Sequence, residues 1–382
     1  MLENESVDTL VVTCIDALHH KYIVPALERG IRVISEKPLT TSIENCRLIN
    51  DTVNRTNGDL TITFNYRYNP VHQTVKQLLS TKNAIGSILS VHFEWLLDTV
   101  HGADYFRRWH KQKENSGGLM VHKSGHHFDL VNWWIDDEPV EVAGMGRTAF
   151  YGSENGKKFG WVKGEVYERA RGSREATNDP FALDIEADET LKALYADAEK
   201  EDGYYRDQNV FSSNVTIEDD MSVLVRYSSG ATMTYHLTAY SPWEGYRVMF
   251  NGSKGRLELT LVESSFRIPQ GPKITGGTVH GTEALPNAGE ARISVHPLWG
   301  KPWEVPVEYE HEGHGGGDER MLSDLFGPRD GESVKSKRQG DEDRQKAGVR
   351  DGTMALAIGL AANESFRTRE FVKIDERKLG IQ

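Results

Sequence analysis

The most constraining feature of this 382-residue chain is a strand–helix–strand pattern near its amino terminus that ends in a lysine. The apolar run from Leu10 to Cys14 predicts a strand, residues 19–30 predict a helix that stops at a glycine, and residues 31–34 predict a second strand. Lys37 follows that strand within Ser35-Glu36-Lys37-Pro38-Leu39. Open parallel sheets bind ligands at the carboxyl ends of their strands. The pattern therefore predicts a βαβ unit with a reactive lysine at its tip.

Three short motifs lie before, at and after this lysine. The tripeptide Glu36-Lys37-Pro38 follows Ala26-Leu27-Glu28-Arg29-Gly30 and precedes Asn65-Tyr66-Arg67-Tyr68. Together they resemble the glucose-fructose oxidoreductase and inositol dehydrogenase family (Gfo/Idh/MocA), whose hallmark is Glu-Lys-Pro at this point. The resemblance covers nearly the whole chain. It implies an enzyme that transfers a hydride between NAD or NADP and a sugar, polyol or related cyclic alcohol.

The periodicity of the chain changes near residue 80. After it, polar and apolar residues alternate, and residues 221–262 have the glycine turns of an antiparallel meander. We expect an α/β plus α+β fold, with part of a Rossmann-type parallel sheet domain in residues 1–80 and a predominantly antiparallel sheet domain, covered by helices on one face, in residues 81–382. The further elements predicted before residue 80 are a helix from Ser42 to about Thr56, a strand from Leu60 to Phe64 and a helix from Pro70 toward Leu79.

A dinucleotide-binding domain needs a glycine-rich turn after its first strand, yet no G-x-G-x-x-G occurs in this sequence. Gly315-Gly316-Gly317 follows a polar segment rather than a strand. Compared with the family, the chain is expected to begin at the fourth, central strand, whose apolar residues 10–14 suit burial on both faces. Without the missing half of the sheet, that strand would be an exposed edge. Two explanations stay open: the chain is a fragment of an enzyme, or it is a shortened relative that has lost cofactor binding.

The second domain carries further expectations. The resemblance implies that its sheet holds the substrate and can form a homo-oligomer. A closing helix over residues 353–366 is placed so that it can pack back on the first domain. Residues 157–207 and 271–309 lack periodicity and are predicted to be long loops or insertions, and the charged run 329–350 is predicted to be a solvated linker.

Composition favours a small-molecule substrate over large anionic partners. The net charge is −12, and no basic stripe interleaved with aromatic residues is present, which argues against nucleic acid and anionic membranes. No apolar run is long enough to span a bilayer, and the start MLENESVDTL lacks the features of a secretory signal. Two cysteines cannot form a disulfide framework. We therefore expect a cytoplasmic location.

The candidate chemistry combines Lys37 with a histidine-rich segment after Gly117-Gly118. If that segment is helical from about Met120, His122, His126 and Asp129 share one face. The family commonly carries Asp-x-x-x-His here, with the histidine as acid–base for the substrate hydroxyl. The resemblance therefore implies that His126 moves the proton and Lys37 polarises the oxygen, while His122 takes the aspartate position. An imidazole can orient or shuttle a proton, but it cannot supply the fixed negative charge of a carboxylate.

Other candidates are assigned by position and by the resemblance. We expect Cys14, His19, Glu36, Lys37, Tyr66 and Arg67 to face the cofactor, although Arg67 could equally pin a sheet edge. We expect Tyr105, Arg108, Trp109, Asp129 and His314 to face the substrate, the aromatic residues against a sugar ring. For His127 a structural role is favoured. The residue that would select NAD or NADP is not recognisable in the sequence.

Three other functions stay open at this stage. The chain could be a catalytically silent sugar-binding or regulatory protein. His122 and His126 have the spacing of zinc ligands and could serve a metal-dependent lyase or hydrolase, although Lys123 stands where a hydrolytic zinc helix has glutamate, and no metal is assigned. Some relatives run their redox step in a cycle, so hydrolysis or epimerisation with tightly held NAD is the third possibility.

Overall fold

The computed structural model describes residues 5–267, 290–310, 313–327 and 345–381. Within these ranges the chain forms a three-stranded parallel sheet and a nine-stranded mixed sheet. The smaller sheet consists of Thr9–Val12 (β1), Arg32–Ser35 (β2) and Leu60–Ile62 (β3), side by side in that order. All three run parallel, so their carboxyl ends lie on one edge of the sheet.

The helices that connect these strands follow from the sequence. They are His19–Glu28 (α1) and Ile43–Thr56 (α2). In α1, Ile23 and Leu27 are completely buried because their helical spacing places them on one face toward the sheet. The Ser42 hydroxyl accepts a backbone N–H at 3.2 Å at the start of α2, which is the expected amino-terminal cap. The predicted strand–helix–strand unit is therefore confirmed.

The first strand is an exposed edge, as expected for a sheet without its other half. Among the described strands, β1 pairs with β2 alone and forms an edge of the sheet. Val11 is 49% exposed, and Leu10 is only partly buried. A continuous apolar run does not distinguish a central strand from an edge strand, because that difference depends on which neighbour pairs with it.

The larger sheet begins after residue 87. Its strands among the described residues are Ile88–Asp98 (β4), Pro139–Arg147 (β5), Asp220–Tyr227 (β6), Thr232–Ser241 (β7), Glu244–Gly252 (β8), Gly255–Ser264 (β9), Glu290–Pro297 (β10), Trp303–Val305 (β11) and Val372–Lys373 (β12). Their order is β11-β10-β9-β8-β4-β7-β6-β5-β12. β4 and β7 pair in parallel, and the other pairs are antiparallel. This arrangement confirms the α/β plus α+β fold class.

Two sequence expectations for this sheet need correction. The predicted meander over residues 221–262 is interrupted, because β4 lies between β7 and β8. The described part of residues 271–309 is not a loop: β10 and β11 extend the sheet there, and Ile293 and Val295 are completely buried against β9. Both errors concern pairing between distant segments, which local periodicity does not encode. Most of the predicted linker 329–350 lies outside the described residues.

The remaining α-helices are Pro70–Leu79 (α3), His101–Arg107 (α4), Lys113–Ser116 (α5), Leu119–His122 (α6), Ser124–Ile135 (α7), Ser153–Lys158 (α8), Glu189–Leu191 (α9), Glu199–Asp202 (α10), Gly313–Phe326 (α11), Val349–Thr368 (α12) and Glu376–Leu379 (α13). Short 3-10 helices occupy Asp16–Leu18, Asn65–Tyr68, Trp109–Lys111 and Glu175–Asn178, and a π-helix occupies Lys192–Ala196. Residues 157–207 thus contain only short helical pieces. None of the helices in the described ranges combines the length and apolar character needed to cross a membrane.

Helix α12 lies between the two sheets. The Thr353 hydroxyl accepts a hydrogen bond at 2.9 Å from Asn50 of the first domain. Further along, Gly359 packs directly on α6, where a Cβ atom would stand 2.6 Å from the carbonyl oxygen of Met120. Glycine is therefore required at this crossing, and it brings the histidine-bearing segment toward the carboxyl edge of the first sheet.

We expect Gly359→Ala to lower the free energy of unfolding by about 1–3 kcal/mol, because the added methyl group overlaps the backbone of α6. Gly125→Ala is the matched control, since that helical glycine has open space around it and should lose nothing. Urea denaturation of both variants measures the difference. Equal stability of the two would contradict the close packing of α12 on α6.

Candidate active site

Polar side chains collect at the carboxyl edge of the parallel sheet. Asp16 follows β1, Glu36 and Lys37 follow β2, and Thr63 follows β3. The Thr63 hydroxyl donates a hydrogen bond to the Glu36 carboxylate, which joins the ends of two strands. The peptide bond between Lys37 and the next residue, a proline, is cis. The position of Lys37 at this edge is the one predicted from the sequence.

Lys37 is oriented by His122. The Lys37 side chain is buried, its Nζ donates to the His122 carbonyl oxygen at 3.1 Å, and the same Nζ lies 3.3 Å from His122 Nε2. Burial lowers the pKa of Lys37, and the carboxylates of Glu36 and Asp16 oppose that shift. An ammonium group carries three N–H donors. One of these donors is therefore left for a ligand.

Asp16 is a member of this group that the sequence analysis did not single out. Its Oδ2 lies 2.5 Å from His122 Nδ1. Burial raises the pKa of Asp16 well above its ordinary value, and the Lys37 cation acts in the opposite direction. Asp16 could have been identified from its position just after the first predicted strand, because the carboxyl ends of neighbouring parallel strands meet at one edge of the sheet.

His126 lies in an aromatic environment beside this group. Its ring stacks on Tyr66 with centroids 4.5 Å apart and meets Phe64 edge-on at 6.0 Å. Its Nδ1 is buried without a hydrogen-bond partner in the described part of the chain. Burial lowers the pKa of His126 well below its ordinary value, and the charges of Lys37 and Lys123 lower it further. The imidazole is therefore neutral near pH 7 and can accept a proton.

The expected helix from Met120 consists of two pieces, because it is interrupted at Lys123, between α6 and α7. His122 contacts Lys37, His126 contacts Tyr66, and Asp129 contacts Arg67, so all three side chains meet residues of the first domain.

Asp129 instead forms a buried ion pair with Arg67. Arg67 donates from Nε to Asp129 Oδ2 at 2.8 Å and from Nη2 to Asp129 Oδ1 at 2.6 Å. A further bond from Nη2 reaches Asp351 of α12 at 3.0 Å. Burial lowers the pKa of Arg67, but the two carboxylates more than offset it and raise the pKa overall. These contacts give Arg67 and Asp129 a structural role, which is the alternative that the sequence left open for Arg67; the cofactor and substrate contacts expected of the two residues stay predictions.

His19 also holds backbone in place. Its Nδ1 lies 2.9 Å from the Pro38 carbonyl oxygen, and its Nε2 lies 3.1 Å from the Cys14 carbonyl oxygen. Burial lowers the pKa of His19. The side chain therefore ties the turn after β1 to the turn after β2. Cys14 is partly buried, and burial raises the pKa of its thiol.

The residues expected to form a sugar pocket surround His122. Trp109 stacks on His110 with centroids 3.6 Å apart, and His110 meets the His122 ring edge-on at 4.4 Å. The Tyr105 ring lies 5.7 Å from that of His122. Arg108 forms an ion pair at 2.8 Å with a buried carboxylate, that of Asp104. The aromatic rings and the Arg108 guanidinium group therefore lie near His122, which contacts Lys37.

Lys123 is a second buried lysine that the sequence analysis did not assign. Its Nζ lies 3.2 Å from the Tyr66 hydroxyl oxygen and 5.0 Å from the ring centroid of Trp95. Burial lowers the pKa of Lys123 to about 8, and Glu244 and Glu263 oppose that shift. The available signal was its place immediately after His122.

His314 reaches the aromatic environment from α11. Its ring centroid lies 5.4 Å from that of Tyr66 and 6.2 Å from that of His126. Its Nδ1 lies 2.8 Å from both Asp318 Oδ2 and Asn65 Nδ2. His314 itself has a left-handed backbone, with φ at 52°, within an irregular first turn. The glycines of this turn allow a close backbone approach: a Cβ atom on Gly317 would stand 2.6 Å from the Asn65 carbonyl oxygen.

His127 belongs to the core. Its ring stacks on Trp95 of the larger sheet with centroids 4.1 Å apart, and its Nδ1 lies 2.6 Å from the Tyr235 hydroxyl oxygen. The described ranges contain no cluster of three His, Cys, Asp or Glu residues that could hold a metal ion. The contact of His122 Nε2 with the Lys37 ammonium group also disfavours a metal at that nitrogen, because two cations would compete for one lone pair.

Comparison with known proteins agrees with this geometry. A family model described as "Oxidoreductase family, C-terminal alpha/beta domain" matches residues 76–374, and one described as "Oxidoreductase family, NAD-binding Rossmann fold" matches residues 1–64. The fold and the strand-end site thus define the class of the Rossmann-type oxidoreductases. The chain belongs to the Gfo/Idh/MocA oxidoreductase family.

Individual relatives are similar over different lengths. The chain is 34% identical over 341 residues to YteT of Bacillus subtilis, whose name assigns it to the oxidoreductases, covering 85% of this chain and 73% of YteT. It is 24% identical over 147 residues to the scyllo-inositol 2-dehydrogenase (NAD(+)) of Bacillus subtilis, covering 38% of this chain and 41% of that one. The WlbA dehydrogenase of Bordetella pertussis, solved with NADH and UDP-GlcNAcA, has a TM-score of 0.57 at 15% identity, covering 98% of this chain and 81% of that one.

We expect Asp129→Asn to lower the free energy of unfolding by about 3–5 kcal/mol, because it leaves a buried arginine without its bidentate partner. Glu138→Gln, which removes one partner of the exposed pair with Arg350, should cost less than about 1 kcal/mol. Chemical denaturation of the two variants compares them directly. A small effect of Asp129→Asn would mean that this ion pair does not join the domains.

Proposed function

We propose that this protein is an NAD(P)-dependent oxidoreductase that transfers a hydride between the nicotinamide and a CH–OH group of a sugar, polyol or related cyclic alcohol. The observation that carries the proposal is the buried Lys37 at the carboxyl edge of a parallel sheet, held at 3.1 and 3.3 Å by two atoms of His122. That position is where open α/β sheets bind dinucleotides and substrates.

The groups at this edge fit the nicotinamide end of the cofactor. Lys37 keeps one N–H for a ligand, and the buried Nδ1 of His126 has no hydrogen-bond partner among the described residues. Glu36, Cys14 and Tyr66 are the other residues proposed to border the nicotinamide. When bound, NAD(P) supplies the hydride acceptor of the oxidation. The sequence contains no G-x-G-x-x-G to hold the pyrophosphate, so cofactor affinity is the first property to measure.

The proton and the charge are handled by the protein. As the substrate C–H bond breaks and its electron pair leaves as hydride, the hydroxyl proton passes to the His126 imidazole and a carbonyl group forms. Lys37 donates a hydrogen bond to the same oxygen and stabilises its negative charge in the transition state. Reduction of the carbonyl group reverses each bond change.

The substrate class is supported by the surroundings of His122 and by the relatives. The rings of Tyr105 and Trp109 lie beside His122 and are proposed to border a sugar ring, and the Arg108 guanidinium group is proposed to donate to its hydroxyl groups. Among the similar proteins, one is a dehydrogenase of the polyol scyllo-inositol, and WlbA was solved with the nucleotide sugar UDP-GlcNAcA. The NAD or NADP preference is left to experiment.

Cofactor binding is tested by titrating the protein with NADH and NADPH and following energy transfer from its eight tryptophans. We expect saturable binding of at least one of the two, followed by turnover with members of a sugar and polyol panel. A folded protein that binds sugars but neither dinucleotide would overturn the proposal. That result would support the silent sugar-binding function.

We expect Lys37→Met to abolish turnover while leaving the unfolding midpoint and NADH affinity nearly unchanged, because the residue acts on the reacting oxygen. Lys76→Met is the matched control: it also removes a buried lysine, one that donates to the Trp133 carbonyl oxygen at 2.5 Å. The control should lower thermal stability and keep turnover at low temperature. Retained turnover in Lys37→Met would remove this lysine from the mechanism.

The pH dependence of oxidation tests the role of His126. A base must be deprotonated to work, and burial holds the pKa of His126 well below its usual 6.5. The rate should therefore stay constant as the pH falls through 6.5 and decrease only at a lower pH. In His126→Asn most of the rate should be lost, and the remaining rate should not show this decrease at low pH. A decrease in rate centred at pH 6.5 or above would contradict the assignment of His126 as the base.

A further inference from the structure

The segment after Gly117-Gly118 carries His122 at the position where the family resemblance leads one to expect an aspartate. That change removes a fixed negative charge from beside Lys37. The structure supplies a carboxylate by another route, because Asp16 follows β1 and lies 2.5 Å from the far nitrogen of the same imidazole. The three side chains form a row in the order Asp16, His122, Lys37, in which His122 contacts both of the others.

The hydrogen-bonding capacities of the three groups determine which nitrogen of His122 carries the hydrogen. A lysine ammonium group has only N–H donors, so His122 Nε2 must offer its lone pair to Lys37. The hydrogen of the neutral imidazole then resides on Nδ1 and is donated to Asp16 Oδ2. Burial raises the pKa of Asp16, and the Lys37 and Arg108 cations oppose that rise and favour the charged carboxylate. The opposite tautomer would direct an N–H of His122 at the N–H groups of Lys37.

The other charged groups around His122 make this carboxylate important. His110, Arg108 and Lys123, in addition to Lys37, all lower the pKa of His122, and burial lowers it most. Tyr105 and Trp109 complete the surroundings with their ring edges. Asp16 contributes the negative charge that directly contacts the imidazole.

We propose that Asp16 is a positioning residue that fixes the tautomer of His122, and thereby supplies, through that imidazole, the negative charge that orients Lys37 and keeps it protonated. This inference rests on the proposed function for its effect on turnover. No bond changes in the row itself during catalysis. Its consequence is that Lys37 presents its remaining N–H to the reacting oxygen in a single direction.

The first test needs no substrate. Protein labelled with ¹⁵N in histidine should show His122 with its proton on Nδ1, a signal assigned by its loss in His122→Gln. In Asp16→Asn this signal should shift toward the other tautomer, because an amide can donate as well as accept. The Lys37 pKa, measured by competitive acylation and mass spectrometry, should fall in Asp16→Asn because the carboxylate charge is lost.

Turnover gives the second test. General acid–base and positioning effects are worth about 10²–10⁴-fold, so we expect kcat to fall at least about 100-fold in Asp16→Asn with KM and NADH affinity nearly unchanged. Asp16→Glu keeps the charge and should recover part of the rate. Asp219→Asn is the control: this buried carboxylate accepts three backbone N–H groups away from the site, so its loss should lower stability and leave kcat within about threefold.

The outcomes separate the two proposals. If Asp16→Asn keeps the Nδ1 tautomer, the Lys37 pKa and kcat of the parent protein, the positioning role is overturned and the proposed function stands. If the parent protein binds neither NADH nor NADPH, the proposed function fails, and the tautomer and Lys37 pKa still decide whether Asp16 orders the row. Loss of rate with equal loss of structure in Asp16→Asn and Asp16→Glu would reduce Asp16 to a structural residue.

Discussion

The buried contact of Arg67 with Asp129 and Asp351 is the interaction on which the arrangement of the two domains depends. It joins the turn after β3 to α7 and α12, three segments that are far apart in the sequence. Arg67 is 1% exposed and has to keep the buried Asp129 carboxylate, because either of these two charges alone would be costly to bury, while Asp351 binds the same guanidinium group from a partly exposed position. The same contact therefore fixes where α6 and α7 meet the first sheet.

That docking assembles the candidate active site from separate parts. Lys37 and Asp16 come from the parallel sheet, and His122 comes from the segment at the junction of α6 and α7. His126 of α7 stacks on Tyr66, which follows β3. Because Lys37 and His126 belong to different domains, a change in the angle between the domains would separate the proton acceptor from the lysine. Rigid support of this kind is what positional catalysis requires.

Much of the fold follows from local sequence signals, and the exceptions share one cause. The first βαβ unit, the cap at Ser42 and the position of Lys37 were predictable, because each depends on residues close in the chain. The insertion of β4 into the meander and the strands β10 and β11 were not, because each depends on a distant pairing partner. The ion pair of Arg67 with Asp129 was not predictable for the same reason: a strand-end arginine has the same local signal whether it meets a ligand or a carboxylate.

The sequence by itself determined the class of fold, the reactive lysine at a strand end and the histidine segment, since hydrophobic period and short motifs are local properties. Only the tertiary structure decided which groups those residues meet. Asp16 and His122 are 106 positions apart, and no periodicity links them. Their contact depends on how α12 and the buried ion pair set one domain against the other, which is a balance of packing and charge burial over the whole molecule.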